Sequence, residues 1–287
     1  MNNHRREFPV GKMCKVFKVS RSSFYDWCGR SPSNRDRENR MILIEIQRIH
    51  QRCRASYGSP RMTEELLARG FRVSRPRVAR LMKNNGIPAV RKKRFVVTTD
   101  AKHNYATAPN RLARKFMATS KGQVWVSDIT YIRTGRGWLY LTVIIDLFDR
   151  KVIGWALSSS LKAKHTSIAA WNMAVERRPP NGKLIFHSDR GIQYACREFT
   201  ELLNCYAKVE RSMSRKGNCW DNAVAESFFK SLKVENVYQK RYKTRAQAAL
   251  DIFEWIETWY NRKRRHKAIG NRTIAELELI SNLKNVA

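Results

Sequence analysis

The chain has 287 residues, 43% of them hydrophobic, and carries 57 Lys and Arg against 24 Asp and Glu, a formal net charge of +33. This length and composition exclude a disordered chain and suit two or more globular domains. A solubilising surface usually mixes both signs of charge, so the excess favours a polyanionic partner, with nucleic acid ahead of an anionic membrane.

Targeting and redox features are few. No apolar run reaches the roughly 20 residues of a membrane-spanning helix, and the N-terminus lacks a signal peptide's apolar segment. The six cysteines include no Cys-x-x-Cys pair, and no histidine pair stands beside them at zinc-finger spacing. We therefore expect reduced thiols, no structural zinc and a cytosolic location.

The N-terminal region predicts two helix-turn-helix units. Ser20 and Ser74 each lie between two short helical patterns, and serine is a favoured N-cap residue. Gly70 suits a helix C-terminus, and the apolar stripe of residues 39–53 predicts a further helix. We divide this region into a helix-turn-helix-like segment at residues 1–30 and a helical, helix-turn-helix-like DNA-binding domain at residues 35–88.

The helix predicted after Ser74 turns Val78, Leu81 and Met82 inward and its basic side chains mostly outward. Either these basic residues contact DNA, or they cover a small helical bundle. Residues 89–121 then lose periodicity and predict a basic linker, which lies along phosphates or serves as a flexible tether. The DNA-binding candidates from both parts are Arg75, Arg77, Arg80, Arg91, Lys92, Lys93 and Arg94.

The following region predicts a mixed sheet. Three β-branched segments at residues 123–132, 138–148 and 151–157 indicate an antiparallel meander. Helical and strand patterns then alternate. The helices are expected at 163–177, 198–206, 221–233 and 245–260, with a short buried strand at 184–187 and a further strand at 207–210. This order predicts an α/β core at residues 122–240 and a helical, basic C-terminal extension at 241–287.

Three acids of this core stand at informative positions. Asp128 lies inside the first strand, and Asp189 directly follows the short buried strand, where α/β sheets commonly present ligands. Glu226 lies on the later helix, in a polar stripe with Asn222, Lys230 and Lys233. Taken alone, the helix favours a weak surface ion pair between Glu226 and Lys230 over a chemical role for Glu226.

Taken together, the acids predict a metal site. Carboxylates that converge at one sheet edge repel one another, and bound Mg²⁺ or Mn²⁺ relieves that repulsion. Two such ions can activate an attacking oxygen and stabilise the leaving oxygen of a phosphoryl transfer. In a chain of net charge +33 the natural phosphodiester is DNA, with Lys230 and Lys233 towards its backbone.

Several neighbouring residues allow two interpretations. His187 and Arg190 could touch phosphate or water, while His187 could equally fix the strand end by hydrogen bonding. Asn222 could orient Glu226, contact DNA or cap the helix. Trp220 could stack on a base, although core packing is expected for it. Core positions are also predicted for Trp125, Trp138 and Trp155, and ion pairs in a turn for Asp146 and Asp149.

These residues stand within long motifs. They include VWVSDITYI, GWLYLTVIIDLFDRKVIGWA, HSDRGIQY, SRKGNCWDNAVAESFFKSLK and WYNRKRRH. In that order, and over nearly the whole chain, they resemble the transposases of insertion-sequence family 3, specifically the product of the second reading frame. The resemblance implies a ribonuclease H-like integrase core, with the catalytic acids at Asp128, Asp189 and Glu226 and the family's basic residue at Lys233.

The resemblance also implies an activity. A DDE transposase cleaves DNA 3′ ends at the terminal inverted repeats and transfers the strand to a target, as a homo-oligomer on DNA at the bacterial nucleoid. Its active form is usually a fusion with the upstream reading-frame product. Because this chain begins at MNNHRREF and has no heptad segment, it is expected to be the catalytic half. The alternative is a non-catalytic DNA-binding regulator.

The spacing of the acids departs from the family pattern by one residue. The gap between Asp189 and Glu226 holds 36 residues, one more than expected. We expect the extra residue to lie between elements at 207–211, where it puts the register of a strand in question.

Overall fold

The computed structural model describes residues 1–89 and 105–286 of the chain. The DNA-binding prediction for Arg91, Lys92, Lys93 and Arg94 lies outside the described residues. Among the described residues, no helix is long and apolar enough to cross a membrane.

Helices make up the whole N-terminal region. They are α1 (Val10–Val16), α2 (Arg21–Gly29), α3 (Asn34–Arg52), α4 (Ser59–Ala68) and α5 (Arg75–Asn84). Ser20 caps α2 as predicted, because its hydroxyl oxygen accepts a hydrogen bond from the Ser23 N–H at 3.0 Å. Ser74 occupies the N-cap position of α5 but makes no capping bond to a described residue. Pro76 in the first turn reduces the need for one, since proline has no N–H to satisfy.

Helix α5 faces the core as the sequence predicts. Val78 and Met82 are buried, and Leu81 packs partly against the same core. Arg75, Arg80 and Lys83 are exposed on the opposite face. Arg77 is the exception, because it donates to Glu38 at 2.8 Å and to Asn39 at 2.9 Å on α3.

A five-stranded mixed sheet forms the next layer and confirms the predicted fold class. Its strands are β1 (Val124–Thr134), β2 (Gly137–Asp146), β3 (Val152–Ser158), β4 (Leu184–Ser188) and β5 (Val209–Met213), in the order β3-β2-β1-β4-β5. The first three form the expected antiparallel meander, and β4 and β5 continue the sheet in parallel. The β4–β5 ladder runs without a shift from the pair Leu184–Val209 to the pair Ser188–Met213, so the strand register that the long acid spacing put in question is regular. Residues 209–211, expected between elements, lie inside β5.

Helices cover both faces of this sheet. They are α6 (Ser167–Arg177), α7 (Ile192–Ala195), α8 (Arg197–Asn204), α9 (Ala223–Glu235), α10 (Arg245–Glu254), a π-helix (Trp255–Lys263) and α11 (Ile274–Val286). The helix predicted from residue 163 begins only at Ser167, because Thr166 leaves the helical region (φ −123°, ψ −94°). The helix predicted through residue 260 changes to the wider π form at Trp255, and this turns Trp255, Trp259 and Tyr260 inward.

The C-terminal segment packs against both the sheet and the N-terminal helices. Trp255 is fully buried in a core that also contains Ile46 of α3 and Val126 of β1. The Tyr57 ring packs at a tilt against Trp259 with ring centroids 5.9 Å apart, and the Tyr57 hydroxyl accepts from the Arg265 N–H at 2.8 Å. A second core lies under α6 and α8 on the opposite face of the sheet.

Two expectations about side chains in the sheet have clear outcomes. Asp146 and Asp149 are buried and accept from Arg178 at 2.7 and 2.8 Å, which confirms the predicted ion pairs in the turn. The core position predicted for Trp138 is wrong, since the ring is 48% exposed at the hairpin end of β2, where it makes an edge contact with Tyr131. Trp125 is fully buried, and Trp155 is half-buried.

The packing of β3 on α6 generates a stability prediction at Gly154. A Cβ atom there would lie 2.7 Å from the Ala174 Cβ and closer still to the Ala170 carbonyl oxygen. We expect Gly154→Ala to lower the free energy of unfolding by about 2–3 kcal/mol, because backbone cannot move aside cheaply. Chemical denaturation measures this loss. Gly11→Ala is the matched control, since open space surrounds Gly11 in α1 and alanine favours a helix. Equal stability of the two variants would contradict the packing.

Candidate active site

The sheet places the two aspartates at equivalent positions on neighbouring parallel strands. Strand β1 pairs with β4 only from Val124 to Val126, and the last pair joins Val126 to His187. Asp128 and Asp189 each follow that pair by two residues. Since the strands separate there, a crevice opens at their carboxyl ends between the two carboxylates. Both aspartates are partly exposed and therefore accessible to a ligand.

Local hydrogen bonds orient each aspartate. The Asp128 Oδ1 accepts from the Ile129 N–H at 2.8 Å, and the Asp189 Oδ1 accepts from the Gly191 N–H at 2.9 Å. The second bond requires a close turn: a Cβ on Gly191 would lie 3.0 Å from that same Asp189 oxygen. Glycine in the HSDRG motif thus lets the loop close on its aspartate.

Glu226 comes to the same crevice on the first turn of α9. Asn222, the residue before α9, is only 4% exposed, and its side-chain amide donates to the Ser127 carbonyl at 2.9 Å. Ser127 directly precedes Asp128. This bond therefore ties the start of the glutamate's helix to the strand that carries the first aspartate. It supports the orienting role considered for Asn222 rather than DNA contact, because the side chain is buried.

The loop after Asp189 is tied to the same serine. The buried Ser127 hydroxyl donates to the Val143 carbonyl at 2.8 Å, which leaves its oxygen to accept from the Tyr194 hydroxyl at 2.8 Å. Burial, followed by the charges of Asp128 and Asp189, raises the pKa of Tyr194 well above its usual value, so the tyrosine stays a donor. Ser127 thus connects all three segments that carry the acids.

The electrostatics show that the three carboxylates interact. Burial raises the pKa of Asp128 well above its usual value, and the charges of Asp189 and Glu226 raise it further. The Ile129 N–H and Lys233 act in the opposite direction. Burial also raises the pKa of Glu226, while Lys230 lowers it. Burial lowers the pKa of the half-buried Lys233, and the charge of Asp128 offsets part of that change. The ammonium group therefore lies within electrostatic range of that carboxylate.

The donor set suits a hard divalent cation, although it is not gathered tightly. Within residues 1–89 and 105–286, no three His, Cys, Asp or Glu side chains already form a ligand cluster. The negative charges of Asp189 and Glu226 act on Asp128, and Lys233 and Lys230 offset part of the charge of Asp128 and Glu226. Carboxylate oxygens are the preferred ligands of Mg²⁺ and Mn²⁺, so the residue types fit.

The basic residues predicted to bind DNA lie in two places. Lys230 is exposed and Lys233 half-buried on α9, beside the acids. Arg190 is half-buried after β4, and its Nε donates to the Ser214 carbonyl at 2.8 Å. The remaining described candidates, Arg75, Arg77 and Arg80, lie on α5 in the N-terminal region.

His187 has a structural role. It is fully buried and hydrogen bonds to the hydroxyls of Ser212 and Ser214 at 2.9 and 3.2 Å. Burial lowers its pKa to about 4, so the ring is neutral at physiological pH. This agrees with the strand-end alternative and leaves His187 out of the crevice.

The core position predicted for Trp220 is wrong, because the ring is 68% exposed. Its neighbour Asp221 takes the interior position instead. Asp221 is fully buried and accepts from Arg114 at 2.8 Å and from Arg215 at 2.9 Å. Arg215 and Arg114 hold its pKa far below the usual value against the effect of burial. Sequence reasoning missed the roles of Asp221 and Ser127, since a buried charged or small polar residue gives no periodic signal.

Comparison with known families identifies two kinds of domain. The HTH-like domain matches residues 36–95, and two integrase core domain patterns match residues 118–219 and 207–273. The mixed sheet with its flanking helices is thus a ribonuclease H-like integrase core behind a helix-turn-helix-like region.

Whole-chain relatives are found in enteric bacteria. The insertion element IS600 uncharacterized 31 kDa protein of Shigella sonnei is 41% identical over 259 residues, which is 90% of this chain and 94% of that protein. Transposase InsF for insertion sequence IS3A of Escherichia coli (strain K12) is 37% identical over 284 residues, or 97% and 96%. A solved simian T-cell lymphotropic virus intasome, in complex with PP2A regulatory subunit B56 gamma, aligns with 81% of this chain and 73% of that one at 13% identity and a TM-score of 0.46.

The repulsion in the crevice predicts a pH-dependent stability. Because the pKa of Asp128 is higher in the folded chain than in the unfolded one, the folded state holds that proton more tightly, and stability falls as pH rises through the interval between the two values. Without divalent cations, Asp128→Asn should therefore be more stable than the wild type at pH 8. The difference should shrink towards pH 4, as followed by thermal unfolding.

Asp26→Asn is the control for this measurement, since Asp26 is exposed on α2. A wild type as stable as the Asp128→Asn variant at pH 8 would show that the carboxylates do not repel.

Proposed function

The chain belongs to the transposase family of insertion sequence IS3, and we propose that it performs metal-dependent DNA 3′-end cleavage and strand transfer at Asp128, Asp189 and Glu226. One observation carries the proposal. Three acids from separate segments lie close enough to interact: burial raises the pKa of Asp128, and the charges of Asp189 and Glu226 raise it further. Carboxylates with perturbed pKa values that interact in this way are typical of functional sites.

The three carboxylates would hold Mg²⁺ or Mn²⁺, as two ions when DNA is bound. A cation there would polarise the scissile phosphodiester and lower the pKa of the attacking hydroxyl group. The chain's own residues do the rest. Asp128 and Asp189 are fixed by their backbone hydrogen bonds, and Lys233 adds positive charge beside Asp128. The exposed Lys230 lies where the DNA backbone would pass.

The proposed reaction has two phosphoryl transfers. Water first attacks the phosphodiester at the element end, and the bond to the 3′ oxygen breaks to free a 3′-hydroxyl. That hydroxyl then attacks a second phosphodiester and displaces its 3′ oxygen. The number of phosphodiester bonds is conserved in this second step. The exposed Trp220 stands just before α9 on a loop fixed by Asp221, which suits it to stack on an unpaired base at the DNA end.

DNA recognition is assigned to the N-terminal helices. Arg75 and Arg80 project from α5 into solvent and are free to reach phosphates or base edges, whereas Arg77 is held by α3. The terminal inverted repeats and the target would be bound by a homo-oligomer, with the upstream reading-frame product as fusion partner. The place of action is the bacterial cytoplasm at the nucleoid. The alternative is a non-catalytic regulator built on the same chain. DNA cleavage and joining that depend on the three acids would distinguish the transposase from the regulator.

Replacement of the acids tests the chemistry. We expect Asp128→Asn, Asp189→Asn and Glu226→Gln each to reduce Mg²⁺-dependent cleavage and joining of terminal-repeat DNA by at least roughly 10³-fold, because the residues act as a unit. Affinity for the same DNA in a gel-shift assay should change little. Glu198→Gln is the control, an exposed acid on α8. Joining that survives in any of the three variants would remove that residue from the site.

The tether at Asn222 can be tested separately. Asn222→Ala removes the amide that donates to the Ser127 carbonyl, so Glu226 should lose its orientation. We expect joining to fall roughly 10–100-fold and the Mg²⁺ concentration for half-maximal rate to rise, because small misplacements of catalytic groups are costly. DNA affinity should match that of Asn204→Ala, an exposed control on α8. A loss of DNA affinity with unchanged Mg²⁺ dependence would instead make Asn222 a DNA contact.

A further inference from the structure

A cavity of about 560 Å³ lies beside α9, next to the face that carries Glu226. Helix α9 forms one wall, and the opposite walls come from α4 and from the segment after the π-helix. Four of its described lining residues are cationic: Arg61, Arg150, Arg264 and Lys267. None of the described residues that line it is an acid. Ser227 lines the cavity and directly follows Glu226, so the two sites are adjacent.

Arg150 is the unusual member of this group. It is only 8% exposed, and its Nη2 donates to the Phe116 carbonyl at 2.8 Å. Its Nε and Nη1 are buried without a hydrogen-bond partner among residues 1–89 and 105–286. An arginine keeps its charge in such a place, and a buried charged donor without an acceptor is unfavourable. The backbone of Arg150 is also left-handed (φ 65°), which is strained for a side chain other than glycine.

The carboxylates nearest to these cations are already engaged. Glu235 accepts from Arg264 at 2.7 and 2.9 Å, and Arg61 lies 3.5 Å from the same carboxylate. Asp146 and Asp149 attract Arg150 but are hydrogen bonded to Arg178. The cavity therefore keeps an excess of positive charge after its ion pairs are counted.

His266 also lines the cavity and lies within range of the same charges. It is 5% exposed, and its Nε2 donates to the Tyr260 carbonyl at 3.1 Å. Burial lowers its pKa to about 3, and the charges of Arg264, Arg61 and Arg150 contribute to the shift. The positive charges thus act together on one side chain of the cavity wall.

We propose that this cavity is a phosphate-binding site in which Arg150 and Arg61 bind a phosphate group, either of the DNA backbone or of a free polyphosphate. A phosphate supplies the acceptors that Arg150 lacks and neutralises the surplus charge. Its place on the next face of α9 would fix one phosphate about one helix diameter, roughly 10 Å, from the acid crevice. The site needs none of the three acids, so it stands or falls separately from the proposed catalysis.

Pyrophosphate binding at low ionic strength, measured by calorimetry and by thermal shift, tests the site. We expect the wild type to bind one pyrophosphate with an affinity that falls roughly tenfold or more in Arg150→Met and in Arg61→Gln, because charge-assisted hydrogen bonds are lost. Arg197→Gln, which removes an exposed arginine on α8, should bind as the wild type does. Arg150→Met should fold at least as stably, since it removes a buried charge with unused donors.

Arg61→Gln keeps the test decisive if Arg150→Met fails to fold, because Arg61 lies nearer the surface. Equal pyrophosphate affinity in the wild type and in every folded variant would overturn the proposal.

A competition experiment with DNA identifies the source of the phosphate. Displacement of pyrophosphate by a terminal-repeat duplex would assign the site to the DNA backbone. Arg61-dependent uptake of pyrophosphate by the DNA-bound chain would assign it to a free polyphosphate, and either result supports the site.

Discussion

The hydrogen bonds of Ser127 are the constraint on which the candidate active site depends. One buried residue accepts from Asn222 through its carbonyl, accepts from Tyr194 through its hydroxyl oxygen and donates to Val143. The segments that carry Asp189 and Glu226 are thereby fixed by neutral groups to the residue of β1 that precedes Asp128. Neutral groups suit this role, because they hold the segments together without adding to the negative charge of the carboxylates.

The acids of this strongly basic chain fall into two classes. Asp146, Asp149, Asp221 and Glu235 are buried and each is bonded to arginine, which stabilises turns and joins distant segments. Asp128, Asp189 and Glu226 instead influence one another through their charges. The first class is neutralised by arginine within the fold, whereas the carboxylates of the second class share one region, which is the arrangement expected of a site that binds a cation. This distinction separates the crevice from the other carboxylate groups of the described chain.

Arg150 is the basic counterpart of these acids. It lies close to Asp146 and Asp149 in sequence, so an ion pair in the turn would be expected for it. Those two acids pair with Arg178 instead, and two donor nitrogens of Arg150 have no partner among the described residues. The acid crevice and the basic cavity lie on adjacent faces of α9. A helix with these two neighbours is suited to a substrate whose backbone is a row of phosphates and whose reaction requires a cation.

Sequence reasoning reached the parts of this arrangement that depend on local pattern. Asp128 and Asp189 followed from strand patterns and strand ends, Glu226 from a helical stripe, and the facing of α5 from its apolar spacing. It did not reach Ser127 or Asp221, because a small or charged residue in the interior has no periodic signature. Trp138 and Trp220 were assigned to the core, since hydrophobicity alone does not tell which large rings a fold leaves exposed. The cavity at Arg150 depends on contacts between residues far apart in the chain.

The most direct test of the account is the location of Mn²⁺ by anomalous diffraction in crystals of the chain bound to terminal-repeat DNA. The account predicts an anomalous peak between the carboxylates of Asp128 and Asp189, with Glu226 on the same ion or on a second one a few ångströms away. Peaks confined to other acids, or a crevice without Mn²⁺ when DNA is in place, would contradict it.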